Sequence, residues 1–262
     1  MSGLRILVCV KRVPAPGAQI TLTPDARAVD ARNLAFTTSP HEECAVEAAL
    51  QLVEAHGGDI TVLTVGPPEA EEQLRFSVSV GVQHAVLLTN DELAAGGDLD
   101  PQATARTITR GVRTLETEAA RPFDVLLFGN ESADSGGFQV GVRVARMLGL
   151  PIVNGIKGIA IADGVLTARR EGDAGFEVYR MPLPAAVGVK EGINLPRYPT
   201  LPGRLRSKRA EVRSWPFATE PGGLTMVRFA TPTVELTETV VLGAGAGAAG
   251  AVVDLLVELG LA

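Results

Sequence analysis

Residues 129–141 read GNESADSGGFQVG, a stretch dense in groups that can hold a phosphorylated ligand. Ser135, Gly136 and Gly137 leave backbone N–H groups free where a helix is expected to start. Those donors, together with the positive helix end, favour a phosphate. Gly136 and Gly137 lack a Cβ and permit close approach. Asn130, Glu131, Ser132 and Asp134 can hydrogen-bond a ribose or a base. No GK[ST] follows, so this is not a P-loop. An ordinary strand-to-helix turn is the competing reading, and the loop alone leaves both open.

Other groupings carry less chemistry. His41, His56 and His84 have no metal-ligand spacing, and no Ser/His/Asp or Cys/His set stands out. A hydrolase using Ser135 or Asp134 would lack a placed histidine base. His41 lies at an expected helix start beside the loop and is a candidate ligand contact, whereas His56 and His84 read as solvated. Gly245 to Gly250 matches GxGxxG, but no second strand and no ribose-binding acid follow it. It reads as a Gly/Ala joint before a terminal helix. Residues 191–216 carry four prolines and six basic side chains, Arg197, Arg204, Arg206, Lys208, Arg209 and Arg213. Leu201 is framed there by proline and ringed by cations, the form of a protein-docking anchor. A solvated loop and an RNA surface are the alternatives; Tyr198 is the one stacking ring in 193–209, which weakens the second.

The elements needed to position these residues follow from the pattern. Leu4–Val10 is a continuous apolar run, as in a strand buried on both faces. Ser39, Pro40 and Glu42 spell a capping box that opens a helix, with Gly57 and Gly58 at its end. Ile60–Val65, Ala85–Leu88 and Asp124–Phe128 read as further strands, separated by helices that stop near Gly81, Thr117 and Leu148. The result is an α/β fold: a doubly wound, mostly parallel, Rossmann-like sheet of the adenine-nucleotide-binding kind. Four short strand-like runs between 156 and 189 add antiparallel strands. Domains are expected at 1–190 (the nucleotide-binding unit, its sheet continuing to about 216), with the basic segment 191–216 within it. An arm over 217–262 carries a helix at Val252–Leu259.

With 262 residues, 46% apolar and 21% charged, the chain is neither disordered nor a disulfide scaffold. Aromatics are 4%, so the core is aliphatic. The net charge of -6 argues against wholesale binding to nucleic acid or anionic membrane. Cys9 and Cys44 read as reduced core thiols. The run Val240–Val253 is too short and glycine-rich to span a bilayer, and no secretory signal is visible, so a cytoplasmic protein is expected.

Several motifs in register resemble the beta subunit of electron transfer flavoprotein. They are LRILVCVKRV from Leu4, Ser39-Pro40 with Glu43 and Ala45 to Ala48, Thr64 to Pro67, and Gly129 to Ser132 with Asp134 and Gln139 to Gly141. Arg170-Glu171 with Asp173, Gly175 and Glu177, Leu183 to Ala185, and Asn194 with Pro196 to Tyr198 and Leu201-Pro202 complete the set. The resemblance implies an electron carrier with no catalytic residue of its own, paired with an alpha subunit that holds or shares FAD. It implies flavin-linked dehydrogenases, such as acyl-CoA dehydrogenases, as donors and a quinone oxidoreductase or another acceptor. It implies a buried AMP, or a second FAD in electron-bifurcating members. The implied cofactor-binding positions are Cys9, Lys11, Ser39, Pro40, His41, Glu42, Val65, Gly66, and Gly129 through Val144, including Ser135, Phe138, Gln139 and Val140. The implied docking positions are Leu195, Arg197, Tyr198, Leu201, Arg204, Arg206, Lys208 and Arg209. Departures are Ser39-Pro40-His41 where the family has Asn-Pro-aromatic, and Leu195 where it has an acid. A stand-alone nucleotide-binding regulator of the stress-protein type is the reading from another class.

Overall fold

In the computed structural model, strand β1 (Leu4–Cys9) lies in the middle of a nine-stranded sheet. The structure describes residues 3–94, 99–218, 220, 222–233 and 239–261. Ile6 and Val8 face one apolar layer and Leu7 and Cys9 the other, so the uninterrupted apolar run of β1 is what a two-faced burial requires. A two-stranded ribbon, β2 (Val13–Pro14) with β3 (Phe36–Thr37), follows β1. Helix α1 (Pro40–His56) comes next, then β4 (Gly58–Val65), α2 (Glu71–Val80) and β5 (His84–Thr89). A short turn of helix, α3 (Asp91–Ala94), precedes α4 (Pro101–Ala119), β6 (Val125–Gly129) and α5 (Val140–Leu148). Helices α1 and α2 cover one face of the sheet, and α4 and α5 the other.

The ends of α1 are set locally. Ser39 Oγ accepts the Glu42 N–H at 3.3 Å and the Glu42 carboxylate reaches back to the Ser39 N–H, the reciprocal box the sequence spells. Ala45, Ala48 and Ala49 are small enough to bring α1 close to the sheet. Val46, Glu47 and Leu50, on its outer side, are buried as well, so α1 is covered on more than the sheet side.

After α5 the chain makes an antiparallel meander of β7 (Ile152–Ala162), β8 (Val165–Gly172) and β9 (Gly175–Pro182). Strand β10 (Ala185–Val189) departs from the antiparallel expectation. It inserts between β6 and β7 and runs parallel to both. Residues 191–216, expected as an excursion, contain helix α6 (Leu201–Arg209) and strand β11 (Val212–Pro216). Gly203 lets α6 approach the carbonyl of Ser79 on α2, where a Cβ would collide. Strand β11 then pairs parallel with β5, giving the order β11-β5-β4-β1-β6-β10-β7-β8-β9.

Residues 229–262 form a separate compact unit. Within it a 3-10 turn at Gly245–Ala248 leads into helix α7 (Ala249–Glu258). The GxGxxG glycines therefore lie in that turn and at the helix start, not in a strand-to-helix crossover. No helix among the described residues is long and apolar enough to cross a membrane.

Candidate functional site

The carboxyl ends of β1, β4, β6 and β10 lie side by side, the edge at which parallel α/β sheets take ligands. Strand β1 delivers Cys9 and, just beyond it, Lys11. Helix α1 brings Ser39, Pro40, His41 and Glu42 to the same edge. Gly129 ends β6 against them: a Cβ there would lie 2.7 Å from Glu42 Cγ and 3.4 Å from His41 Cβ, so only glycine lets α1 close on the strand. The Asn130 N–H then donates to the Val189 carbonyl at 2.8 Å, joining the loop to β10. Val65 and Gly66 end β4 on this edge, with β1 between them and β6.

The loop after β6 folds on itself. The Gly136 N–H donates to the Ser132 carbonyl (2.7 Å) and the Ser132 N–H to the Gly137 carbonyl (3.0 Å), so the Gly136 N–H expected to be free is used within the loop, and helix α5 starts at Val140, beyond Ser135 to Gly137. Lys11 Nζ lies 2.8 Å from Asp134 Oδ2 and 3.3 Å from Ser132 Oγ, so β1 and the loop share a cation. Ser132 Oγ also donates to Asp134. Gly136 has a φ of 61°, the left-handed region, and nothing lies within 4 Å of where its Cβ would be. At Gly137 the nearest group is Ser135 Oγ, at 3.6 Å. Gly141 has a different purpose: its Cβ position is 3.0 Å from the Phe128 ring, so it lets α5 pack on β6. Helix α5 has no side-chain cap, since Gln139 Oε1 is engaged by Arg143 at 2.9 Å. Its first-turn N–H groups are therefore available to an anion. Phe138 is half exposed beside them.

Burial shapes the charges. The Glu42 carboxyl is pushed up to about 7 by burial, against the N–H groups of Lys11 (3.0 Å) and Ser39 (3.4 Å), which it accepts. Burial also acts to raise Asp134, but the Lys11 ammonium outweighs it and holds that carboxyl below its usual range. The Cys9 thiol is driven far up by burial and by Glu42, which keeps it protonated. His41 is buried. Its Nδ1 accepts the Glu191 N–H at 2.9 Å and its Nε2 lies 3.4 Å from Glu131 Oε1.

The basic segment divides into two kinds of residue. Leu195 and Tyr198 are 88% exposed and Leu201, the first residue of α6, is 72% exposed. Arg204, Lys208 and Arg209 stand on the exposed faces of α6. Arg206 is exposed as well, and its Nη2 donates to the Val78 carbonyl at 3.3 Å. Arg197 is turned inward. Its Nε and Nη2 donate to Glu47 at 2.8 and 2.9 Å, and its Nη1 to Glu54 at 2.6 Å. Asn194 Nδ2 donates to the Cys44 carbonyl at 3.0 Å. Glu54 and Glu191 were not singled out in the sequence, and Glu47 and Asn194 entered only within the motifs of the family resemblance. The signal that groups Glu47, Glu191 and Asn194 is spacing: His41, Cys44 and Glu47 recur every three residues, as do Glu191, Asn194 and Arg197, while Glu54 lies outside both series.

A family model described as the electron transfer flavoprotein domain matches residues 28–220, which include the start of α1, the 129–141 loop and the basic segment. The Protein FixA of Azorhizobium caulinodans is 34% identical over 215 residues, 81% of this chain and 75% of that one. The electron transfer flavoprotein subunit beta of Syntrophomonas wolfei is 32% identical over 231 residues, 88% of this chain and 86% of its own length. That of Megasphaera elsdenii is 30% identical over 211 residues, covering 80% and 77%. With a nine-stranded α/β sheet, a glycine loop at its carboxyl edge and this extent of similarity, the chain belongs to the electron transfer flavoprotein family, among its beta subunits.

Proposed function

We propose that this chain is the beta subunit of a heterodimeric electron carrier. It pairs with an alpha subunit that holds or shares FAD. Electrons arrive from flavin-linked dehydrogenases, such as acyl-CoA dehydrogenases, and leave to a quinone oxidoreductase or another acceptor. FAD supplies the redox chemistry when bound. The beta chain contributes no acid–base pair; it holds an AMP and presents a docking surface.

The observation that carries the nucleotide part is the open space over Gly136 and Gly137, in the turn that leads into α5, a helix without a side-chain cap. The other glycines of the loop are filled by the protein's own side chains, whereas these two face nothing a Cβ would strike. A phosphate fits there, on the first-turn N–H groups of α5. Asn130, Glu131, Ser132 and Asp134 border the same loop and offer ribose or base contacts. Lys11 is already neutralised by Asp134, so the loop's attraction for an anion rests on backbone dipoles more than on a free cation.

The test is coexpression with an alpha subunit of the family, followed by acid extraction and chromatography of the released small molecules. One flavin and one AMP per heterodimer is the expected result. Two flavins would place a second FAD in the loop, the bifurcating arrangement. A colourless monomer that binds ATP reversibly would replace the carrier reading with a stand-alone regulator.

A further inference from the structure

Three contacts lay residues 191–197 along α1, and each joins positions 150 apart in the chain. Glu191 meets His41, Asn194 meets Cys44, and Arg197 meets Glu47. The two segments advance together in steps of three, and on a helix such positions lie nearly one turn apart on one face. Of the docking side chains, Leu195 leaves from this strap and Tyr198 and Leu201 follow directly after it, and all three are exposed. The first contact is unlike the other two, because His41 has a second arm. With Nδ1 accepting from Glu191, the neutral ring carries its hydrogen on Nε2, which lies 3.4 Å from Glu131 Oε1 on the loop after β6. One buried imidazole thus links the start of the strap to a carboxylate that borders the phosphate site.

Resting on the nucleotide reading above, we propose that His41 is a positioning residue through which occupancy of the 130–141 loop sets the pose of the docking segment 191–209. A ribose or base held by the loop fixes the Glu131 carboxylate. The carboxylate fixes Nε2, and the imidazole plane then holds Nδ1 on the Glu191 N–H. The ring cannot turn without giving up both contacts. A docking segment already ordered in this way loses less freedom when a partner binds, so nucleotide occupancy favours docking without touching the partner.

The experiment uses the full chain, stripped of nucleotide, with AMP alone as the probe and amide hydrogen exchange as the readout. In wild type, saturating AMP should slow exchange in 130–141 and also slow it in 191–209 by about fivefold or more. His41→Asn keeps an acceptor near the Nδ1 position but loses the reach to Glu131. With AMP at saturation it should still show slowed exchange in 130–141 and lose the response in 191–209, a pattern that neither lost AMP binding nor a merely structural role would give. Glu191→Pro, which removes the N–H itself, should abolish the response independently. Undiminished slowing of 191–209 by AMP in both variants overturns the proposal. So does a wild type in which AMP protects 130–141 and leaves 191–209 unmoved, although the nucleotide reading then stands. A wild type in which AMP protects neither segment sinks the nucleotide reading and the coupling together.

Discussion

Glu42 accepts the N–H of Lys11 at 3.0 Å while it caps its own helix, so one buried carboxylate joins β1 to α1 at the edge of the sheet. Its side chain also lies where a Cβ on Gly129 would be, which fixes the end of β6 beside them. The three elements of the candidate site therefore meet on a group that can change charge near neutral pH.

Stability should depend on pH through that group. Burial raises the Glu42 carboxyl from the ordinary 4.5 to about 7 in the folded chain. The folded form binds the proton more tightly, so this contribution is complete below about pH 4.5 and is lost as pH rises through about 7. Glu42→Gln retains an acceptor and cannot ionise. In urea unfolding it should match wild type near pH 4.5 and exceed it at pH 8 by on the order of 2 kcal/mol. Parallel stability curves would show that Glu42 is not the titrating group.

Gly137→Val should lower nucleotide content while leaving the fold intact. The space over Gly137 is open, so the side chain costs the free protein little and occupies the phosphate approach. Gly141→Ala should do the reverse, losing about 1–3 kcal/mol of stability against the Phe128 ring. Thermal unfolding together with extracted AMP separates the two. Equal AMP in Gly137→Val and wild type would move the phosphate elsewhere.

Removing the Arg197 side chain strands Glu47, whose side chain is 6% exposed. Burial acts to raise Glu47, and the Arg197 hydrogen bonds outweigh it and hold the carboxyl low. Its stabilisation is therefore present above the ordinary carboxylate range and fades as pH falls through its lowered value. Arg197→Ala should cost about 2 kcal/mol at pH 7, discounted for the partial exposure of the arginine, and less at acid pH. A penalty that does not change with pH would show that lost packing, not charge, is responsible.

Leu201→Ala should slow electron transfer from the donor dehydrogenase and leave cofactor content unchanged. Leu201 is 72% exposed and contributes little to the fold, so its truncation acts on docking. The check is donor-dependent reduction of the purified heterodimer as donor concentration is varied. Identical rates in mutant and wild type would remove Leu201 from the interface.

Much of this was legible in the residues. The apolar run of β1, the capping box of α1 and the glycine loop after β6 are local signals, and each appears where the sequence puts it. The place of β10 was not legible, because parallel pairing between β6 and β7 is a long-range choice that its five residues do not encode. Helix α6 was hidden by Pro202 and Gly203, which read as a loop; Pro202 suits a first helical turn and Gly203 admits the approach to α2. The inward turn of Arg197 was missed because its partners are 143 and 150 residues away. Spacing in threes was visible on both segments, but only the fold shows that they lie alongside one another.

The insertion of β10 also fixes an order of assembly. Strand β6 has β1 on one side and bare backbone donors and acceptors on the other until Ala185–Val189 arrives. A growing chain must therefore emit the whole β7–β9 meander before its central layer can be sealed. Until then the unfinished sheet has a sticky open side, where a nascent polypeptide of this protein most needs shelter from its neighbours.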